Sequence, residues 1–150
     1  MRFQGERHLR TSVEHVRTAL HDPEVLRRVI PGCREMVGVG SDTFAATLGV
    51  QVGPMADTYR GTFTVSSTPT GLRVAVEARG RCGRLELDLR THLGTSCGGT
   101  RLRYVADAHV RGLVARLGGP TLSVVGGHLT NTFFRDLERA LATERHAALV

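Results

Sequence analysis

Apolar and polar residues alternate along the middle of the chain. In one run, Leu85, Leu87 and Leu89 alternate with Glu86 and Asp88. A period of two residues places successive side chains on opposite faces of a β-strand, so one face is covered and the other meets water. Turns rich in glycine, proline and serine separate the runs, which predicts a meander of hairpins. The predicted strands are 2–9, 35–39, 43–52, 59–65, 72–78, 84–93 and 101–111.

Three segments have helical patterns instead. Thr11 and Glu14 have the spacing of a capping box, which predicts the start of a first short helix. Asp22-Pro23 predicts a second short helix, with an aspartate cap followed by proline at the first helical position. A third helix is predicted over about 120–146, where apolar residues recur every three or four positions. At 1.5 Å per residue it would be roughly 40 Å long, enough to cross a whole sheet.

The order of these elements predicts an α+β fold of one domain over residues 1–150. A sheet of about seven antiparallel strands wraps around the long C-terminal helix, and two short helices follow the first strand. Because sheets twist, a hollow remains between the sheet and the helix. Apolar side chains that face this hollow form the predicted ligand-binding lining. They are Phe44, Leu48, Tyr59, Phe63, Val74, Leu87, Tyr104, Ala106, Leu122, Val125, Leu129 and Phe133.

Small residues facing the hollow would widen it. Gly61 and Ala106 are such positions on the strands, and Gly126 and Gly127 lie within the long helix. Glycine inside a helix costs about 1 kcal/mol relative to alanine, so the pair calls for an explanation. Close approach of the helix to the sheet, a kink and space for a ligand are all compatible with the sequence.

Composition narrows the class of protein. The chain has 150 residues, a hydrophobic fraction of 41% and a net charge of +6, which fits one domain with a real core. No apolar run is long enough to span a membrane, and the charged N-terminus does not resemble a signal peptide. The three cysteines are too scattered for a disulfide framework. We therefore expect a cytoplasmic protein.

The positive charge is carried by arginine alone. Its excess lies within 73–116, mostly on the polar faces of the predicted strands, where Glu77, Glu86, Asp88 and Asp107 would pair with several arginines. The remainder predicts a basic outer face, either simply solvated or suited to an acidic partner or anionic lipid. Nucleic acid is not expected, because five Phe, two Tyr and no Trp offer few stacking groups.

The polar side chains do not form a catalytic or metal-binding set. His92 and His109 fall on the outer faces of their strands, and no histidine or cysteine pair has zinc-ligand spacing. The covered faces offer Tyr59, Tyr104 and Thr91 without a neighbouring acid–base partner. No catalytic residue, metal or cofactor is therefore predicted. Each tyrosine hydroxyl either bonds within the protein or donates a hydrogen bond to a ligand carbonyl.

Short motifs along nearly the whole chain carry a family resemblance. They are Phe3-x-Gly5, Asp22-Pro23-Glu24-Val25-Leu26, Ile30-Pro31-Gly32-Cys33, Val52-Gly53-Pro54, Tyr59-x-Gly61-x-Phe63, Gly99-Thr100-Arg101-Leu102-x-Tyr104, Val110-x-Gly112-Leu113-Val114-Ala115-Arg116-Leu117-Gly118 and Phe133-Phe134. In this order they resemble the CoxG subunit of carbon monoxide dehydrogenase, a family of the START-like (SRPBCC) helix-grip superfamily. The resemblance implies an accessory protein with an apolar pocket for a quinone or lipid-like molecule. It also implies a link between a molybdenum hydroxylase and the membrane, and hence a peripheral position at its inner face.

Together these features predict a protein that binds an apolar small molecule without transforming it. An enzyme of the polyketide aromatase/cyclase type is the alternative on the same fold, and it would place His, Asp or Arg inside the pocket. An assembly factor whose own side chains fill the hollow is a further alternative. The pocket rim is expected at 30–33, 52–56 and 112–119. In the last of these, Leu113, Val114 and Leu117 lie beside Arg111 and Arg116, and they either cap the core or make weak contact with an anionic membrane surface.

Overall fold

The computed structural model describes residues 1–149, with side chains described through Thr143. The elements are β1 (Arg2–Leu9), α1 (Val13–Leu20), α2 (Pro23–Val29), β2 (Cys33–Gly40), β3 (Thr43–Val52), β4 (Met55–Ser67), β5 (Gly71–Arg79), β6 (Arg84–Ser96), β7 (Gly99–Arg111), a 3₁₀ helix (Leu113–Leu117) and α3 (Gly119–Leu149). The seven strands form one antiparallel sheet in the order β1-β7-β6-β5-β4-β3-β2. The predicted α+β fold, with two short helices after β1 and a long C-terminal helix, is confirmed.

The strands extend further than the alternation of apolar residues predicts. β4 was expected over 59–65 but begins at Met55, which pairs with Val52 across the turn, and ends at Ser67. Backbone pairing continues where neither face is covered, and there the side chains carry no apolar pattern. The 3₁₀ helix was not predicted, because a single short turn has no measurable periodicity.

The two short helices begin at polar caps. Asp22 caps α2 as predicted, accepting the backbone N–H of Glu24 at 2.9 Å, and Pro23 follows it. The predicted capping box at Thr11 is wrong by one residue, because Ser12 accepts the N–H of His15 at 3.1 Å. The Thr11 hydroxyl instead meets Nδ1 of His15 at 2.7 Å.

The core is densest at one end of the sheet. The strand residues that are fully buried, including Leu9, Leu72 and Leu102, lie near the β4–β5 and β6–β7 turns. We call this the packed end, and α1, α2 and the C-terminal half of α3 cover it. The β3–β4 turn, the β5–β6 turn and the 3₁₀ helix lie at the other end, which we call the open end. Within the described part of α3, the buried anchoring residues thus lie between Phe134 and Leu141.

Two glycines that were expected to widen the hollow instead allow close contacts within the protein. A Cβ atom at Gly61 would collide with the backbone of Glu77 and Ala78 on β5. A Cβ atom at Gly126 would collide with the ring of Phe3. Of the roles left open for the helical glycines, Gly126 therefore serves close approach of α3 to β1, whereas Gly127 faces open space.

Candidate ligand-binding site

The inner side of the sheet is not sealed near α3. Leu85, Leu87 and Leu89 of β6 lie on the covered face, yet all three are only half-buried. Val74, which pairs with Leu89 from β5, is half-buried as well. An apolar side chain on a concave face stays accessible only when the layer above it leaves a gap. These positions therefore mark an apolar hollow between the sheet and α3.

The helix shows the same change along its length. Phe134, Leu137 and Leu141 are buried, whereas the apolar side chains before them are half-buried or exposed. The backbone of α3 packs most closely on α2, and then on β1, the 3₁₀ helix and α1. The hollow thus lies beside the N-terminal half of α3, towards the open end of the sheet.

The predicted lining residues differ in how accessible they are. Six are buried in the core: Phe44, Leu48, Tyr59, Phe63, Tyr104 and Ala106. Five are half-buried and accessible: Val74, Leu87, Leu122, Val125 and Phe133. Leu129 is 43% exposed and is the most accessible of the predicted lining residues.

Two tyrosines bring hydroxyl groups to accessible space. Tyr59 and Tyr104 are 4% and 7% exposed, so their rings are almost wholly buried. Neither hydroxyl has a hydrogen-bond partner among the described residues. Every side-chain nitrogen or oxygen that is fully buried in this part of the chain does have a partner, so the two hydroxyl oxygens are not fully buried. Both hydroxyl oxygens must therefore reach solvent or the hollow. Of the two roles left open by the sequence, a hydrogen bond to another described residue is observed for neither hydroxyl.

The aromatic rings are fixed by their neighbours. The Tyr104 ring lies against Gly5 of β1 and contacts the Phe134 ring, with centroids 4.9 Å apart. The Tyr59 ring lies against Gly80 in the β5–β6 turn. Burial, followed by the nearby charge of Asp57, raises the pKa of Tyr59. Its hydroxyl therefore stays protonated and can donate a hydrogen bond.

Asp57 holds the β5–β6 turn in place above Tyr59. Its carboxylate accepts the backbone N–H groups of Cys82 at 2.7 Å, of Thr58 at 2.8 Å and of Arg81 at 3.2 Å. The hydrogen bond from Cys82 is the largest cause that lowers the pKa of Asp57. This carboxylate is occupied by the backbone and is not a free base for catalysis.

The remaining polar groups of the inner side are partnered. Thr91 is buried, and its hydroxyl accepts the N–H of Leu72 at 3.0 Å and donates to the Leu72 carbonyl at 3.2 Å. Arg7 of β1 is half-buried, hydrogen-bonds to Asn131 of α3 and lies 5.3 Å from the centroid of the Phe134 ring. Arg7 shares its side of β1 with the buried Leu9, so the alternation along β1 places this charged residue on the inner side. That alternation was the signal for it.

The histidines lie where the sequence predicts. His92 and His109 are both exposed on the outer face of the sheet. Among the side chains that the structure describes, no three His, Cys, Asp or Glu residues gather as they would around a metal ion.

A cleft lies at the open end, between the first residues of β2 and β4 and the last residues of β3. This cleft has a volume of about 750 Å³. Its lining residues are Gly32, Cys33, Arg34, Gly49, Val50, Gln51, Ala56, Asp57, Thr58, Arg60 and Arg81. Three arginines make it basic, unlike the apolar hollow, and the sequence pattern did not predict it.

Comparison with known families agrees with this arrangement. The sequence profile of the CoxG subunit of carbon monoxide dehydrogenase matches residues 5–142. The chain belongs to the CoxG family. The match spans the sheet, both short helices and most of α3, so the hollow described above lies within the family's common domain. A comparison with curated proteins finds no match.

Solved structures place this CoxG-family chain on the START-like fold. A conserved protein from Geobacillus kaustophilus is 26% identical, with a TM-score of 0.87 over 95% of this chain and 96% of that chain. A START superfamily protein from Mycobacterium smegmatis is 13% identical, with a TM-score of 0.71 over 95% and 97%. The Zhui aromatase/cyclase from Streptomyces sp. R1128 is 12% identical, with a TM-score of 0.71 over 99% and 97%. The last two likenesses establish the fold alone.

The helices differ from membrane-spanning segments. Within the part of the chain that the structure describes, none of them combines the length and the apolar character that crossing a bilayer requires.

Proposed function

We propose that this CoxG-family protein binds an apolar small molecule of the quinone or lipid-like class and does not transform it. The observation that carries the proposal is the accessibility of the inward-facing leucines of β6, since a core filled by its own side chains would bury them. The family and the fold support a ligand-binding or accessory role. In this proposal the protein serves a molybdenum-containing hydroxylase of the carbon monoxide dehydrogenase type.

The accessible residues give the hollow the character of a ligand site. Val74 and Leu87 form one wall, and Leu122, Val125 and Phe133 form the other. Apolar walls with a few polar groups are typical of small-molecule sites. The protonated hydroxyl of Tyr59 is a donor for a carbonyl oxygen, such as a quinone carries, and the hydroxyl of Tyr104 is a second candidate. Each such hydrogen bond would orient the ligand without changing it.

The chemistry of the hollow favours binding over catalysis. General acid–base catalysis needs a titrating group within reach of the substrate. Asp57 is engaged by three backbone N–H groups, and Arg7 is engaged by Asn131 and the Phe134 ring. With Asp57 engaged, the aromatase/cyclase alternative is left with Arg7, which has no acidic or histidine partner beside it in the described contacts.

The open end is the proposed site of ligand entry and delivery. Leu113 of the 3₁₀ helix is 48% exposed, and Arg111 and Arg116 beside it are exposed as well. Val114, in contrast, is buried and its N–H bonds to the carbonyl of Cys82. One apolar side chain between two arginines supports only weak contact with an anionic bilayer surface.

Neighbouring residues of α3 allow a matched test of the hollow. Val125 is half-buried and faces the proposed site, whereas Val124 is 74% exposed. Decylubiquinone serves as the probe, and its affinity is measured by isothermal titration calorimetry. We expect Val125→Trp to weaken binding about tenfold or more by filling the hollow, and Val124→Trp to leave it unchanged.

The results separate the alternatives. Binding that is lost only in Val125→Trp supports the proposed site, provided that both variants melt at similar temperatures. Equal effects of the two substitutions would place the ligand elsewhere. No binding of decylubiquinone, together with no small molecule in native mass spectra of the purified protein, would favour the assembly-factor alternative.

A further inference from the structure

Four arginines stand opposite one another on the outer face of the sheet at the open end. Arg60 of β4 pairs in register with Arg79 of β5, Arg79 with Arg84 of β6, and Arg84 with Arg111 of β7. We call these four residues the arginine row. With strands about 4.8 Å apart, the row extends roughly 14 Å across the sheet.

Such a row is unfavourable for folding. Like charges directly opposite one another on adjacent strands destabilise a sheet. Elsewhere on the outer face, Arg73 and Arg90 also stand opposite each other, but both contact Asp88, at 3.1 and 3.3 Å. Arg2 likewise contacts Asp107 at 2.9 Å. Within the described residues, the row has one ion pair, from Arg84 to Glu86 at 3.6 Å.

The basic cleft continues the row at its β4 end. Arg60 belongs to both, and Arg34 and Arg81 add two more guanidinium groups to the cleft. Arg34 donates a hydrogen bond to the Thr58 hydroxyl at 3.3 Å. Asp57, the carboxylate in the cleft, accepts backbone N–H groups and is not paired with a guanidinium in the described contacts.

We propose that the arginine row and the adjoining cleft form a docking surface for a protein partner that presents an acidic segment. Guanidinium groups bind carboxylates through paired hydrogen bonds, which gives such contacts both strength and direction. A strip of roughly 14 Å matches four or five residues of an extended chain. The surface goes beyond the proposed ligand binding and does not depend on it.

The pattern of charge favours a protein over other anionic partners. Two positions along the strands, at the next place on the outer face, Glu77 stands opposite Glu86, so a short negative strip of two carboxylates lies beside the positive one. A folded partner can complement both strips, whereas a bilayer surface of uniform negative charge cannot. Base stacking of nucleic acid has no support here, because Tyr59 and Phe63 of β4 are buried on the inner side.

Charge reversal in the middle of the row separates docking from folding. In Arg79→Glu the new carboxylate would stand between Arg60 and Arg84. The repulsion between position 79 and these two guanidinium groups would then be replaced by attraction. We expect the melting temperature to rise by about 1–3 °C. The probe for docking is a fluorescein-labelled peptide of eight glutamates, and its binding is measured by fluorescence anisotropy. We expect Arg79→Glu to bind this peptide about fivefold or more weakly.

Arg103 provides the matched control. It is exposed on the same outer face, on β7, and lies towards the packed end, away from the row. Arg103→Glu changes the net charge equally, and we expect it to keep peptide affinity within about twofold. Equal loss in both variants would show a response to net charge alone and would overturn the proposal, as would the absence of peptide binding to the wild-type protein.

Two further measurements complete the test. Vesicles of phosphatidylglycerol should bind wild-type and Arg79→Glu protein alike, and a loss of vesicle binding equal to the loss of peptide binding would overturn the assignment to a protein partner. Decylubiquinone affinity should be the same in both proteins. If the wild-type protein binds decylubiquinone but not the peptide, the docking proposal is wrong and the ligand-binding proposal stands. If it binds the peptide but not decylubiquinone, the reverse holds.

Discussion

At the scale of single residues, the carboxylate of Asp57 replaces backbone acceptors that a sheet would otherwise supply, because it accepts three backbone N–H groups. A short turn between β5 and β6 leaves N–H groups that no strand can pair, and Asp57 accepts those of Arg81 and Cys82. The Tyr59 ring packs against Gly80 of this turn, so by holding the turn the Asp57 carboxylate also helps to position Tyr59. Asp57, a charged residue on the covered face of β4, thus has a structural role.

The lowered pKa of Asp57 makes its contribution depend on pH. A carboxylate whose folded-state pKa is below the unfolded value of about 3.9 stabilises the fold above that value, and the stabilisation is lost as the pH falls through the folded-state pKa. Asp57→Asn should therefore melt at a lower temperature than the wild type near neutral pH. The difference should shrink below about pH 4. Thermal melts from pH 2.5 to 7 measure it, and a difference that is the same at pH 3 and pH 7 would contradict the assignment.

Single residues were the scale at which the sequence predicted least. Alternation assigns a side chain to a face, and it placed His92 and His109 on the outer face as observed. It does not show which residue stands opposite on the next strand, so the arginine row was missed although its members were known to be basic. On β1 the alternation is weak and gave no assignment for Arg7, because Gly5 interrupts the apolar face and Leu9 is the one buried residue of the strand.

At the scale of elements, the two halves of the single helix α3 differ in how they pack. Starting at Phe134, its apolar stripe is buried as far as Leu141 and packs in the core. Before that point the stripe is half-buried and the helix contains Gly126 and Gly127. Helical periodicity predicted the element and its approximate bounds. It could not predict the change in burial along the helix, because that depends on what the sheet brings beneath each turn.

The two helical glycines provide a prediction about α3. Gly127 faces open space, so Gly127→Ala should raise the free energy of unfolding by up to about 1 kcal/mol through helix propensity. Gly126→Ala has the same intrinsic gain but must displace the ring of Phe3. We expect it to be about 1–2 kcal/mol less stable than Gly127→Ala. Urea denaturation of both variants measures the difference, and equal stabilities would show that Phe3 moves aside without cost.

The 3₁₀ helix provides a second prediction at this scale. If exposed Leu113 contacts a bilayer, Leu113→Ser should reduce the fraction of protein that floats with phosphatidylglycerol vesicles, and salt should reduce it further. Val39 is 59% exposed near the packed end and is the matched control. Val39→Ser should float like the wild type. If flotation is the same in both variants as in the wild type, Leu113 does not contact the bilayer, and delivery through a protein partner is the route that is left.

At the scale of the whole molecule, stability and accessibility are separated along the sheet. The packed end holds the fully buried residues and is covered by three helices, whereas the open end carries the hollow, the basic cleft and the arginine row. Fold class and element order were predictable because they follow from periodicity and turn residues. The division into two ends was not, since it arises from contacts between segments far apart in sequence, such as Phe3 with Gly126.

This division predicts how backbone protection is distributed. Local opening costs least where few apolar contacts hold an element, so amides in residues 119–133 of α3 should exchange with deuterium faster than those in 134–143. A ligand that fills the hollow binds the closed form and stabilises it by mass action. Adding decylubiquinone should therefore slow exchange in 119–133 and leave 134–143 nearly unchanged. Hydrogen–deuterium exchange followed by mass spectrometry resolves the two segments. Uniform protection along α3, with or without the quinone, would mean that the helix is packed equally along its length and that the hollow is not the binding site.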